Sequence, residues 1–154
     1  EVPRSIPVML ELQSAAVVPA GLYGCELWGL LSVPGVTAAG LTLQQLYALA
    51  DPTEKLRLKV IRTWLNLPHS TPCAPLLHEL GLEPLVMSYV RKAVKWWNHV
   101  AQLKEDSPWR LALKENVRDA QDASFRGHNF SYALFVVLRV LLGSGTRGLS
   151  SSLL

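Results

Sequence analysis

Proline placement constrains this chain more than any other feature. In Asp51-Pro52, Thr71-Pro72 and Ser107-Pro108 a proline follows a residue suited to cap a helix, and Pro84 stands directly before a long stretch with helical patterning. Proline has no amide donor and a fixed φ, so it suits a first helical turn, where that donor would lack a partner, and disrupts any later one. The chain is thereby cut into short helices with set starting points. Strand-type alternation competes nowhere, and no repeat is visible, so the expected fold class is all-α, an irregular bundle of about six helices.

The apolar pattern places these helices. Ser5 and Pro7 open the first, which is expected to run over 6–31 with a kink at Pro19 and to be buried around most of its circumference. After a small-residue loop over 32–40, Thr42 and Gln45 have capping-box spacing before a short helix reaching Ala50. Asp51 and Glu54 repeat that spacing before an amphipathic helix to Asn66, with Leu56, Val60, Ile61, Trp64 and Leu65 on its core face. A short helix follows Pro72 and ends at Gly81, a left-handed cap position, and the longest helix runs from Pro84 to about Leu103. Further helices are expected from Ser107 to about Gln121 and from Phe130 to Leu142. The domain reading is one helical domain over 1–142 and a disordered, flexible tail over 143–154, rich in Gly and Ser.

Length and hydrophobic content suit one folded domain with a modest core: 154 residues, of which 49% are hydrophobic. Neither apolar window, 6–31 nor 132–142, reads as a membrane span, because charges interrupt the first and the second is short and carries Arg139. Cys25 and Cys73 lack the spacing of a secreted disulfide framework, and no signal peptide opens the chain, so the reading is an intracellular protein, in nucleus or cytoplasm, with free thiols. A net charge of +3 is too small to indicate a polyanionic partner by itself, and distribution must decide.

Two helices distribute cations in a way that suits nucleic acid. On the helix after Asp51, Lys55, Lys59 and Arg62 recur on one face and can track a phosphate backbone. On the helix after Pro84, Val86, Val90, Ala93, Val94, Trp97, Val100 and Ala101 share the core face, while Arg91, Lys95, Asn98 and Gln102 share the opposite one. Between them lies a stripe of Leu85, Tyr89, Lys92, Trp96, His99 and Leu103, where aromatic and basic groups interleave. Trp96 has two readings, stacking on a base or packing against a neighbouring helix. The candidate nucleic-acid-binding residues are therefore Lys55, Lys59, Arg62, Arg91, Lys92, Lys95 and Trp96, weighed against ordinary solvated helix faces.

Metal and catalytic chemistry find little support. His69, Cys73 and His78, even with Cys25 added, match no zinc spacing. Two-metal polymerisation needs clustered carboxylates, whereas Glu105-Asp106 is the adjacent acidic pair and Asp119 and Asp122 lie at a helix end. No glycine-rich phosphate loop or nucleophile elbow is present. The reading is a non-enzyme without metal or cofactor.

Four ordered motifs add a resemblance. Tyr23-Gly24-Cys25-Glu26-Leu27-Trp28, the leucine- and arginine-bearing segment from Leu56 to Leu65, Leu67-Pro68-His69-Ser70-Thr71-Pro72 and Glu79-Leu80-Gly81-Leu82-Glu83-Pro84-Leu85 together resemble the region after the palm of non-LTR (LINE-type) retrotransposon reverse transcriptases. The resemblance covers about residues 18–117. It implies a thumb or post-thumb helical region that helps hold an RNA/DNA template-primer, with polymerisation located in an upstream palm. The palm and fingers of such an enzyme are missing from this sequence, as is a zinc knuckle, so the expectation is a remnant or truncated copy. Apolar faces over 6–31 and 130–142 suited to those missing domains are expected to leave an exposed patch or to cause self-association. The rival reading is a helical protein-interaction module, or domesticated remnant, that does not bind nucleic acid.

Overall fold

The computed structural model describes residues 5–38, 40–48, 51–122, 124 and 126–143. Among them the secondary structure is helical, with no strand. The order is α1 (Ile6–Leu12), a π-helical turn (Gln13–Val17), α2 (Val18–Gly21), α3 (Cys25–Trp28), α4 (Leu43–Ala48), α5 (Pro52–Trp64), α6 (Cys73–Glu79), α7 (Leu85–Ala101), α8 (Pro108–Asp119), a 3-10 turn (Arg126–His128) and α9 (Phe130–Leu142). The helical segments exceed the expected six because the first predicted helix is divided. The remainder of the expected tail past Gly143, and the end of the expected helix at residues 49 and 50, lie outside the described residues.

That division has local causes. Pro19 cannot donate to the carbonyl four residues earlier and its ring crowds that carbonyl, and the backbone just before it widens into a π turn. Gly24 then takes φ 66°, a left-handed conformation that ends one helical direction and starts α3. Nor is this region buried all round: Met9 and Gln13 face inward, whereas Ile6, Val8 and Leu12 are exposed.

Local chemistry fixes the other ends much as the sequence implies. Thr42 Oγ1 accepts from the Gln45 amide at 3.2 Å while Gln45 Oε1 accepts from the Thr42 amide at 2.9 Å, a reciprocal capping box. Asp51 Oδ1 accepts from the Glu54 amide at 2.7 Å and caps α5. At the end of α6, Leu82 N–H donates to Leu77 O and Gly81 N–H to His78 O, the Schellman pattern, with Gly81 at φ 63°.

Two apolar clusters result. The larger joins α3 and the loop after it to α4, α7 and α9 through Cys25, Leu30, Val33, Leu46, Tyr89, Ala93, Leu134 and Val137. The smaller joins α5 to α6 through Leu58, Ile61, Leu76 and Leu77. Between them runs a buried polar network. Asp51 Oδ2 accepts from the hydroxyls of Tyr89 and, at 3.3 Å, of Ser32; Glu54 Oε2 accepts from the Leu85 amide; and Arg57 donates to Glu83 O at 2.9 Å and to Glu54 Oε1 at 3.4 Å.

The network alters how α5 sits. Glu54, Arg57, Leu58 and Ile61 form the buried face, and Leu56, expected in the core, is 58% exposed. Expecting Glu54 to close a capping box on its own helix is also corrected, because its carboxylate instead caps the N-terminus of α7, where orphan amides and the helix dipole favour an anion. On α7 the buried side widens to include Leu85 and Tyr89, and Ala101 is exposed. Tyr89 is wholly buried against Gly29, where an added Cβ would lie 2.9 Å from the ring.

Two outcomes follow. Gly29→Ala should lower stability by about 1–3 kcal/mol through overpacking at the α3–α7 contact, measured by denaturant unfolding, and an unchanged midpoint would contradict this contact. Burial pushes the Glu54 carboxyl above its ordinary 4.5, against the opposing pull of the Leu85 amide and Arg57. The folded chain thus binds more protons than the unfolded chain between those two values, and this group's contribution to stability falls as pH rises through that window. The stability difference between the native chain and Glu54→Gln should shift against the native chain from about pH 4.5 upward and level off above the raised value. A difference independent of pH would contradict the assignment.

Candidate nucleic-acid interface

α5 divides its cations by their position around the helix. Lys55 and Lys59, one turn apart, point away from the Glu54–Ile61 face and are exposed. Among the described residues neither has an ion-pair partner. Arg62 is one residue short of the next full turn and rolls toward α6. It is half-buried, donating from Nη2 to Thr71 O at 2.7 Å and to Cys73 Sγ at 3.1 Å. It therefore ties α5 to the loop before α6.

α7 makes a similar division. Arg91 pairs with Glu83 and donates to Ser88 Oγ at 3.3 Å, although it remains exposed. Lys92 donates from Nζ to Leu22 O at 3.1 Å, holding the turn between α2 and α3. Lys95 is exposed and without an ion-pair partner among the described residues. Trp96 is half-buried, its ring edge-on to Phe130 with centroids 5.5 Å apart, so packing against a neighbouring helix describes its surroundings. Trp97, expected in the core, is half-buried between Phe130 and Phe135.

Among the described residues Lys55, Lys59 and Lys95 thus have no ion-pair partner, and Lys92 makes one bond, to Leu22 O. An ammonium carries three donors and makes a long-range point-charge contact to phosphate without fixed geometry. Such contacts supply affinity without reading sequence.

The acidic groups are used differently. Burial chiefly, with the neighbouring Asp51 adding to it, raises the Glu54 carboxyl, a pattern often associated with a reactive site. Here both are nearly sealed from solvent, and the oxygens are occupied by backbone amides, Tyr89, Ser32 and Arg57. Their arrangement serves helix ends. Among the described residues no three His, Cys, Asp or Glu side chains are placed to hold a metal ion. Cys25 is buried and Cys73 half-buried, both as free thiols; burial pushes the Cys25 thiol up, with nearby Lys92 opposing.

The exposed apolar residues expected over 6–31 are present as Ile6, Val8 and Leu12 on α1 and Tyr23, Leu27, Trp28 and Leu31 around α3. The expected counterpart on α9 is mostly spent in the core, through Phe130, Ala133, Leu134 and Val137. No helix among the described residues is long and apolar enough to cross a membrane.

Sequence reasoning missed Glu54 and Arg57 as buried groups, since charged residues are rarely buried unless paired, and it placed Tyr89 at a boundary rather than in the core. The available signal was Glu54 and Arg57 lying in register with Leu58 and Ile61. Comparison with known proteins returns no match to a protein family, a curated protein or a solved structure.

Proposed function

We propose that this chain is a non-catalytic helical module of a retroelement reverse transcriptase that contacts template-primer nucleic acid through α5. The supporting observation is the pair Lys55 and Lys59, exposed in one stripe and without ion pairs among the described residues, on a helix whose other face is locked by Glu54, Arg57 and Arg62. A rigidly seated helix presents its cations with little further ordering, which favours a phosphate-tracking role. Lys92 and Lys95 are further exposed cations, on α7. In this reading polymerisation belongs to a palm outside this sequence, and Asp51 and Glu54 are architectural.

Two of the motifs that resemble LINE-type reverse transcriptases are bonded to α5, which carries a third. Arg62 holds Thr71 of the Leu67–Pro72 segment, and Arg57 and Glu54 hold Glu83 and Leu85 of the Glu79–Leu85 segment. A second reading, a helical protein-interaction module, is favoured by exposed Ile6, Val8 and Leu12 on α1, which also suit self-association or an adjoining domain.

The test is filter binding to an RNA–DNA hybrid over a range of salt concentrations. The native chain should show affinity falling steeply with salt, and Lys55→Gln/Lys59→Gln should reduce the log–log slope by roughly 0.9 per lysine, the value for duplex DNA, without loss of stability. Arg62→Gln should instead lower stability, because it leaves the Thr71 carbonyl without its charged donor. Absence of salt-dependent binding would overturn the reading in favour of the protein-interaction module.

A further inference from the structure

Tyr23 stands out among the exposed side chains. It is 87% exposed, and among the described residues no hydrogen bond or ring contact engages its side chain. Its backbone, by contrast, is pinned. Trp28 Nε1 donates to Tyr23 O at 3.2 Å, Lys92 Nζ donates to the preceding Leu22 O at 3.1 Å, and Gly24 turns the chain immediately after it. Trp28 is itself seated on the buried Tyr89 ring, at 6.0 Å between centroids. The molecule therefore spends two side-chain bonds and a left-handed glycine on holding a turn whose tip is a solvated aromatic ring.

A cation reaches the turn that carries that ring. Lys92 reaches the turn directly, and Lys95 lies one turn further along α7, with Cβ atoms of such pairs about 5–6 Å apart. Glu26, half-buried on α3, is the acid nearest in sequence. An exposed planar ring on a fixed backbone, with the Lys92 ammonium at the same turn, suits a strand whose bases are unpaired, because base–aromatic stacking needs an accessible base face and the phosphates need cations alongside. A duplex hides its base faces and would leave the ring unused. A protein partner would be met by the apolar side chains Leu27 and Leu31, but would gain little from the lysines.

We propose that Tyr23 is a stacking platform for an unpaired base of single-stranded nucleic acid, with Lys92 and Lys95 contacting the adjoining phosphates. This rests on the nucleic-acid reading above and adds a second contact region, on the α2–α3 turn, that distinguishes single strand from duplex.

The experiment uses the whole chain and a fluorescein-labelled oligothymidine of roughly 12 nucleotides, within the site sizes usual for such platforms, beside a duplex of equal length. Tyr23→Ala should weaken oligothymidine binding by about 5- to 150-fold and leave duplex binding unchanged, while Tyr23→Phe, which keeps the ring, should bind as the native chain does. Helical circular dichroism and the unfolding midpoint should be unaltered in both, since the bonds at this turn use the backbone carbonyl. Equal oligothymidine affinity for Tyr23→Ala and the native chain overturns the stacking assignment alone. No salt-dependent binding of either probe overturns both this proposal and the α5 reading. A dimer seen by sedimentation that Tyr23→Ala converts to monomer, with nucleic-acid affinity unchanged, reassigns the turn to self-association.

Discussion

Two carboxylates, Asp51 and Glu54, each at a helix start and each buried, hold this molecule in one arrangement. Asp51 caps α5 through the Glu54 amide and accepts from Tyr89 on α7, while the Glu54 carboxylate turns away from α5 and supplies the anion at the start of α7. Burying a carboxylate is costly unless its oxygens find donors, and a half-satisfied network would be worse than an apolar one. Here the Leu85 amide and the Tyr89 hydroxyl of α7 add to donors from α5 itself and Ser32, so docking of α7 completes the set around both carboxylates. Arg57, through Glu83 O, extends the link to the turn before α7. Without this network the α5–α6 cluster and the larger α3–α4–α7–α9 cluster would be two small apolar groups with little to fix their register.

The same constraint sorts the surface. Because Glu54, Arg57, Leu58 and Ile61 must face inward, the rotation of α5 about its axis is set, and with it the outward direction of Lys55 and Lys59. Arg62 falls at the edge of that rotation and is used to hold Thr71 and Cys73. Leu56 is displaced to solvent for the same reason. The cations that are free to meet a polyanion are thus decided by a buried polar network on the other side of the helix.

Much of this was legible from residue types. Helix starts at Pro52, Leu85 and Pro108, the Thr42–Gln45 capping box, the left-handed Gly81 and the bounds of α9 follow from local chemistry that acts within a few residues. What sequence could not show was where side chains go when two local options are equivalent. A Glu at the third position of a helix can cap itself or a neighbour, and a Lys or Arg at a helix face can sit in water or reach a distant carbonyl; tertiary contacts decide. Glu54 and Arg57 took the distant option, as did Lys92, whereas Lys55 and Lys59 stayed in solvent. The division of the first predicted helix was hidden for a different reason, since Pro19 signals a disturbance without saying whether it becomes a kink or a π turn. The exposure of Tyr23 is hidden in the same way, because it depends on Gly24 turning the chain rather than continuing the helix.

The most direct measurement of the central claim is a double-mutant cycle between Asp51→Ala and Tyr89→Phe, read from denaturant unfolding of the two single variants, the double variant and the native chain. If the buried carboxylate and the phenol hydroxyl join the two clusters, the cycle should return a coupling energy of about 1–3 kcal/mol, as expected for a buried hydrogen bond to a charged group. Strictly additive effects would show that the two residues act independently, and the network would lose its place as the element that orders the fold.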